Sequence, residues 1–178
     1  MTTKLFLAAI FAVGVGLTSP AIAQVAQEGG PVMVGGDSWH ADENALTQTW
    51  EGRVEVVQSN SRLRADHVVI SHASGGEGEN KGWGEVTRIE ATGNVYYVTP
   101  ENTVKGNTAV YTKSDDTMVI SGDVVLKQGK NVMSGTRLVA AIGAGTTTMD
   151  AAPGSTNKGR VKAVLYPDEK QANQAAGN

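Results

Sequence analysis

Gly52-Arg53-Val54-Glu55-Val56-Val57, Gly93-Asn94-Val95-Tyr96-Tyr97-Val98 and Gly122-Asp123-Val124-Val125-Leu126 are three versions of one pattern. Thirteen residues after each leading glycine stands a small residue: Ala65, Gly106 or Gly135. An apolar residue precedes it by two positions (Leu63, Val104, Met133), and a valine follows it by four (Val69, Val110, Val139). Five columns that repeat three times without a gap mark an internal repeat.

Each unit reads as an antiparallel hairpin. The first strand follows the glycine, with apolar residues two and four positions on: Val54/Val56, Val95/Tyr97 and Val124/Leu126. Their alternates are mixed and include Glu55 and Lys127. Period two with one clean face is the signature of a half-buried strand. The polar turns Gln58-Ser59-Asn60-Ser61, Thr99-Pro100-Glu101-Asn102 and Lys127-Gln128-Gly129-Lys130-Asn131 carry the residues that supply turn geometry. The second strand runs through the small residue, where glycine in a strand usually means close approach or a bend.

Outward from the repeat, the units are spaced by 41 and then 29 residues, and the twelve-residue surplus falls in His72–Gly84, HASGGEGENKGWG, which reads as a flexible insertion. A strand-rich stretch, Asp37–Trp50, precedes the first unit, and Gly159-Arg160-Val161 restarts the pattern for a last strand, Val161–Tyr166. No convincing helical period occurs after residue 24; the nearest is Thr136–Gly143, where the shared columns favour a strand. The expected organisation is a signal peptide at 1–23, a loose leader at 24–36, one β-domain at 37–167 and a disordered polar tail at 168–178.

The leader sequence carries its own logic. Lys4 supplies a positive start, Leu5–Leu17 is an uncharged apolar run of thirteen residues, and Ala21-Ile22-Ala23 is the small-x-small pattern of a cleavage site. The run is too short for a membrane span, which needs about 20 residues. Cleavage after Ala23 predicts an exported chain, and no cysteine follows for lipidation. The remainder has 20 valines and 14 threonines against five leucines and four isoleucines, with no phenylalanine. Such β-branched composition fits a pleated sheet.

The 178 residues contain no cysteine, 22 glycines and a net charge of -3. Absence of cysteine excludes disulfides, thiolate metal sites and thiol catalysis. Mild acidity argues against a nucleic-acid partner. His40, His67 and His72 have no i, i+4 metal spacing, and five residues on a strand send His67 and His72 to opposite faces. Asp115-Asp116 and Glu77/Glu79 read as solvated turn carboxylates, and Gly75-Gly76-Glu77-Gly78 lacks the Lys-Ser/Thr of a phosphate loop. No metal, cofactor or catalytic set is expected. Trp50 falls in an apolar column with Ala91 and Ile120 and should pack in the core. Trp83, within the insertion, reads either as a loop anchor or as an exposed sugar or lipid contact.

The runs Trp50-Glu51-Gly52-Arg53-Val54-Glu55-Val56 and Leu63-Arg64-Ala65-Asp66-His67-Val68-Val69 carry a family resemblance. So do Ile89–Val95, Val104–Ala109, Val119–Val124 and the closing Gly159–Val164. In order and spacing they resemble the LptA/OstA-like family of periplasmic lipopolysaccharide-export proteins, over residues 37–166. The resemblance implies a twisted, partly open β-jelly-roll that binds lipopolysaccharide without transforming it. It also implies head-to-tail stacking with itself and with homologous domains of the inner-membrane-anchored and outer-membrane export components. The long His72–Gly84 insertion and polar tail depart from the family pattern.

On that reading Val54, Val56, Leu63, Val95, Tyr97, Val104, Val124, Leu126 and Met133 are candidates to line an apolar groove for acyl chains. Each can equally fill a closed core. Arg53, Arg62, Arg64 and Lys105 are candidates for lipid phosphates at the groove's rim, against the plainer role of solvated sheet charges. Two other classes stand beside this one. A glycan-binding or envelope-scaffold β-module would have a filled core and exposed aromatics. A sugar-acting jelly-roll enzyme is disfavoured, because no carboxylate or histidine pair shares a strand face.

Overall fold

The computed structural model describes residues 30–76, 82–151 and 159–166. The signal peptide, residues 24–29 of the leader, Glu77 and Glu79, and the tail lie outside the described residues. The described chain is all β, without a helix. Its ten strands are β1 (Met33–Gly35), β2 (Ser38–Asp42), β3 (Thr47–Gln58), β4 (Ser61–Gly75), β5 (Gly82–Val98), β6 (Asn102–Thr112), β7 (Thr117–Gln128), β8 (Asn131–Ala141), β9 (Thr146–Asp150) and β10 (Lys162–Val164).

All ten belong to one antiparallel sheet in the order β1-β3-β4-β5-β6-β7-β8-β10, with β2 beside β3 and β9 beside β8. The two ends of this order do not pair with each other, so the sheet stays open. Sequential hairpins explain the simplicity of the topology. Gln58 pairs with Ser61 across the Ser59-Asn60 turn, and Gln128 pairs with Asn131 across Gly129-Lys130. Ser59 and Gly129 hold the positive φ that such two-residue turns require.

The leading glycines do not begin strands; this corrects the hairpin boundaries read from sequence. Each lies inside a strand of twelve or more residues: Gly52 in β3, Gly93 in β5 and Gly122 in β7. Each forms a bulge with the residue after it, and both partners are left-handed. The φ angles are 71° and 48° at Gly52-Arg53, 79° and 45° at Gly93-Asn94, and 80° and 42° at Gly122-Asp123. Register shifts fall at the same level in every strand pair from β3 to β8. A bulge bends its strand and increases local twist, so aligned bulges crease the whole sheet along one line. The outer strands respect the crease too: β1 pairs with one half of β3 and β2 with the other, as β10 and β9 do on β8.

On the even-numbered partners the crease reverses the pleat. Leu63 and Ala65 are buried on β4, and beyond Asp66 the buried residues are Val68 and Ile70. Ala109 and Leu138 are the equivalents on β6 and β8. The repeated valines Val69, Val110 and Val139, in step with the small residues by sequence, are therefore on the outer face and only half-buried. The small column itself marks close approach, as expected. A Cβ on Gly106 would lie 2.5 Å from Ile120 Cγ2, and one on Gly135 2.6 Å from the Asp150 carbonyl oxygen.

Three other expectations change. β1 lies within the stretch read as a leader and pairs with β3. The His72–Gly84 insertion is mostly a longer β4–β5 hairpin, since Ser74 pairs with Trp83 and Gly75 with Gly82. At the far end β10 is shorter than Val161–Tyr166, while β9 went unforeseen. Its five residues, TTTMD, alternate too weakly to announce a strand.

Candidate functional site

One face of the sheet gathers the apolar side chains into rows that cross every strand. On one side of the crease the row runs Val34–Val56–Leu63–Tyr97–Val104–Leu126–Met133–Ala163, each residue paired with the next. On the other side it runs Trp39–Trp50–Val68–Ala91–Ala109–Ile120–Leu138–Met149. A third row, Ile70–Ile89–Tyr111–Met118–Ala140, lies beyond it. Except for the exposed ends Trp39 and Ala163 the rows form one cluster, and among the described residues no polar or charged residue is buried.

The structure brings all nine sequence candidates onto this face. Val54, Val56, Leu63, Val95, Val104, Val124 and Leu126 are buried, while Tyr97 and Met133 are half-buried and pack against them. All nine lie between the crease and the Ser59, Pro100 and Gly129 turns. Across the crease the face continues through Ala91 and Ile120, the column expected to pack with Trp50, and through Val68, Ile70, Ala109, Met118 and Leu138, which sequence reasoning missed. The signal was present in the alternation of Met118/Ile120 and Ile89/Ala91, ahead of glycines read as strand starts.

Trp50 takes its expected core position, tilted against Trp39 at 6.1 Å between ring centroids. Its indole Nε1 is buried without a hydrogen-bond partner. Trp83 sits on β5 rather than on a loop. Its ring and that of His72 are nearly perpendicular with centroids 5.0 Å apart, and His72 Nδ1 lies 3.1 Å from the Gly84 carbonyl oxygen. That geometry makes Trp83 an anchor of the β4–β5 hairpin. His72 Nε2 lies 3.2 Å from Gln48 Nε2, facing inward, while His67 faces outward.

The four cationic candidates lie on the opposite, outer face. Arg53 donates to Asp37 from Nε at 3.1 Å and from Nη2 at 2.5 Å, a fork that holds the Asp37 carboxyl below its ordinary range. Arg64 donates to Glu55 at 2.8 Å and Arg62 approaches the same oxygen at 3.4 Å. The Arg64 bond, with the charges of Arg62 and Arg64, lowers the Glu55 pKa. Lys105 lies over the Tyr96 ring, 5.8 Å from its centroid. Among the described residues no three His, Cys, Asp or Glu side chains gather to hold a metal ion.

The two free edges carry exposed apolar residues. Met33 and Trp39 stand out on β1 and β2, and Val164, Leu165 and Tyr166 on and after β10. The inner rows end at these edges, in Val34 and Trp39 on one side and in Ala163 and Met149 on the other.

An open antiparallel sheet with a continuous apolar inner face, creased by a repeated bulge, defines the class of β-domain. A family model described as LptA/(LptD N-terminal domain) LPS transport protein matches residues 33–146. The chain belongs to that family. The match begins at Met33, the first residue of β1.

An uncharacterized protein of Rhizobium meliloti (strain 1021) is 26% identical over 144 residues, covering 80% of this chain and 75% of the relative. The crystal structure of LptH from Pseudomonas aeruginosa superposes with a TM-score of 0.64 at 21% identity. That superposition covers 78% of this chain and 96% of LptH. LptH is described as the LptA-homologous periplasmic component of the lipopolysaccharide transport device. The likeness establishes the all-β, partly open jelly-roll expected from the sequence.

Proposed function

We propose that this member of the family works in the periplasm, shielding lipopolysaccharide acyl chains against its inner face and passing them on chemically unchanged. The observation that carries the reading is the pair of apolar rows that cross the open sheet from β1 and β2 to β9 and β10. A buried methylene contributes about 0.8 kcal/mol, so exposing a chain of about twelve carbons costs roughly 9 kcal/mol. A carrier needs an apolar surface that does not end at its own boundary, and rows reaching both edges supply one.

Edge strands with unpaired backbone groups accept another chain. Exposed Trp39 and Met33 at one edge, and Val164 and Tyr166 at the other, support head-to-tail stacking with a second copy or with homologous domains of the export apparatus. Val54, Val56, Leu63, Val95, Tyr97, Val104, Val124, Leu126 and Met133 would contact acyl chains. Export would follow cleavage after Ala23.

Photocrosslinking amino acids at Tyr97 and Met133, compared with Lys105 and Val125 on the outer face, test the assignment. Lipopolysaccharide should be labelled from the first pair only; equal labelling from both faces sinks it. The second reading, a scaffold with a closed core, draws on one observation: seven of the nine residues are already buried in the chain alone. Purified protein that carries no lipid by mass spectrometry and shows no crosslink from any inner position favours that reading.

A further inference from the structure

The outer face holds an open groove of about 990 Å3 between the crease and the β3–β4 and β5–β6 turns. Arg62, Arg64, Glu55, Tyr96, Val98 and Pro100 are among the residues that line it. The groove's own lining holds three arginines and two carboxylates, and the sheet face around it is opposite in charge to the chain. The outer row Gly35–Glu55–Arg64–Tyr96–Lys105–Val125–Ser134–Lys162 and its neighbour Met33–Val57–Arg62–Val98–Thr103–Lys127–Val132–Val164 contain five cations and one carboxylate. The whole sequence has a net charge of -3. At the groove's crease end Asp66 is engaged by Asn94 at 2.7 Å, and Arg53 is engaged by Asp37, which lies outside the lining.

The arginines are only partly used. Arg62 and Arg64 both approach one oxygen of Glu55 through Nε, and their terminal Nη groups donate no hydrogen bond to any described residue. Two guanidinium forks sharing one carboxylate are prepared for a second oxyanion, which arginine takes in bidentate fashion. Beside them Tyr96 is 39% exposed, with Lys105 on its ring, so an aromatic surface stands next to the forks. A volume in the range of ordinary ligand pockets, about 300–1,000 Å3, is far more than one phosphate fills.

We propose that this groove binds a phosphorylated sugar, with the phosphate on the Arg62 and Arg64 forks and the sugar ring on Tyr96 between Val98 and Pro100. The site lies across the sheet from the apolar rows and does not depend on what those rows hold. The same chemistry could be a free sugar phosphate or the headgroup of a phosphorylated glycolipid.

Titration calorimetry of the full mature chain with glucosamine 6-phosphate, inorganic phosphate and glucosamine tests this. Saturable binding of the sugar phosphate is expected. R62Q/R64Q should weaken it at least about tenfold, the loss of one charge-assisted hydrogen bond or more. Tyr96→Ala should weaken the sugar phosphate several-fold and leave inorganic phosphate unchanged. Glu55→Gln, which removes the competing carboxylate, should tighten both, a result that loss of structure would not give. Absence of saturable binding, or equal binding by wild type and R62Q/R64Q, overturns the proposal. Phosphatidylcholine vesicles containing lipopolysaccharide then assign the source: displacement of the soluble probe identifies a headgroup, and no displacement a free sugar phosphate.

Discussion

Asn94 Nδ2 donates to Asp66 Oδ2 at 2.7 Å across the point where β5 turns left-handed at two successive residues. The same relationship links Arg53 to Asp37 one strand pair earlier. In both, the residue after the repeated glycine reaches back to the acidic residue that follows a small residue, Ala65-Asp66 on β4 and Gly36-Asp37 in the break between β1 and β2. The crease is thus held by side chains as well as by backbone.

Gly93 should be intolerant of any side chain. Its φ is 79°, and an added Cβ would lie 2.5 Å from Asp66 Oδ2. Strain of this kind costs about 1–3 kcal/mol per residue, and the clash disturbs the Asn94 bond as well. Gly129 also has positive φ, at 57°, but nothing within 4 Å of its Cβ position. Urea unfolding should show Gly93→Ala to be the more destabilising of the two. Equal midpoints would mean that the Asp66 contact contributes nothing.

Gly106 presents the complementary case, ordinary backbone with no room. A Cβ there meets Ile120 Cγ2 at 2.5 Å. Overpacking a core position costs about 1–3 kcal/mol, so Gly106→Ala should lower the urea midpoint. Ile120→Ala removes the obstructing atom, and the double mutant should be less damaged than the sum of the singles by about 0.5 kcal/mol or more. Strict additivity would place the clash elsewhere.

The sequence made the fold class legible because its strongest signals are backbone demands. Gly52, Gly93 and Gly122 repeat because left-handed φ excludes most side chains, and Gly106 and Gly135 repeat because a Cβ would collide. What the repeat could not convey is whether a glycine starts a strand or interrupts one; both need the same residue. That ambiguity hid much of the apolar face beyond the column of Trp50, Ala91 and Ile120, including Val68, Ala109 and Leu138. It also placed Arg62, Arg64 and Lys105 at a rim, although strand alternation against Leu63 and Val104 already puts them across the sheet. The β9 strand was hidden for a different reason: β-pairing with β8 settles its conformation, and pairing is not local.

Acid should loosen the crease. The Asp37 carboxyl is held below its ordinary value chiefly by the Arg53 hydrogen bond, and Glu55 chiefly by that of Arg64. A carboxylate lowered on folding leaves the unfolded chain binding more protons in the interval between its two pKa values, so stability rises with pH there. The contribution is complete above the unfolded carboxylate values, about 3.9 for Asp and 4.3 for Glu. It disappears as pH falls through the lower folded ones. Both pairs are exposed, so the effect is modest and shrinks in salt. Urea midpoints measured from neutral pH down into this acidic range should fall less steeply for Asp37→Asn than for wild type. Parallel curves would show that the Arg53 pair is electrostatically idle.

The pleat reversal at the crease makes the sharpest distinction between neighbouring residues. Val68 is fully buried on the inner face of β4, whereas Val69, the residue conserved across the three repeats, is half-buried on the outer face. Val68→Thr preserves shape but places a hydroxyl where no described polar residue is buried, at a cost of about 1–3 kcal/mol. Val69→Thr leaves its hydroxyl near solvent and should change stability by about 0.5 kcal/mol or less. The same ordering should hold for Leu138→Ala over Val139→Ala on β8, with Leu138 losing about 2–5 kcal/mol as a core truncation. Urea midpoints for the four variants test the crease directly. If Val69 and Val139 prove the more sensitive members of their pairs, strand alternation runs unbroken through Asp66 and Thr136, and the register shift between the two halves of the sheet is wrong.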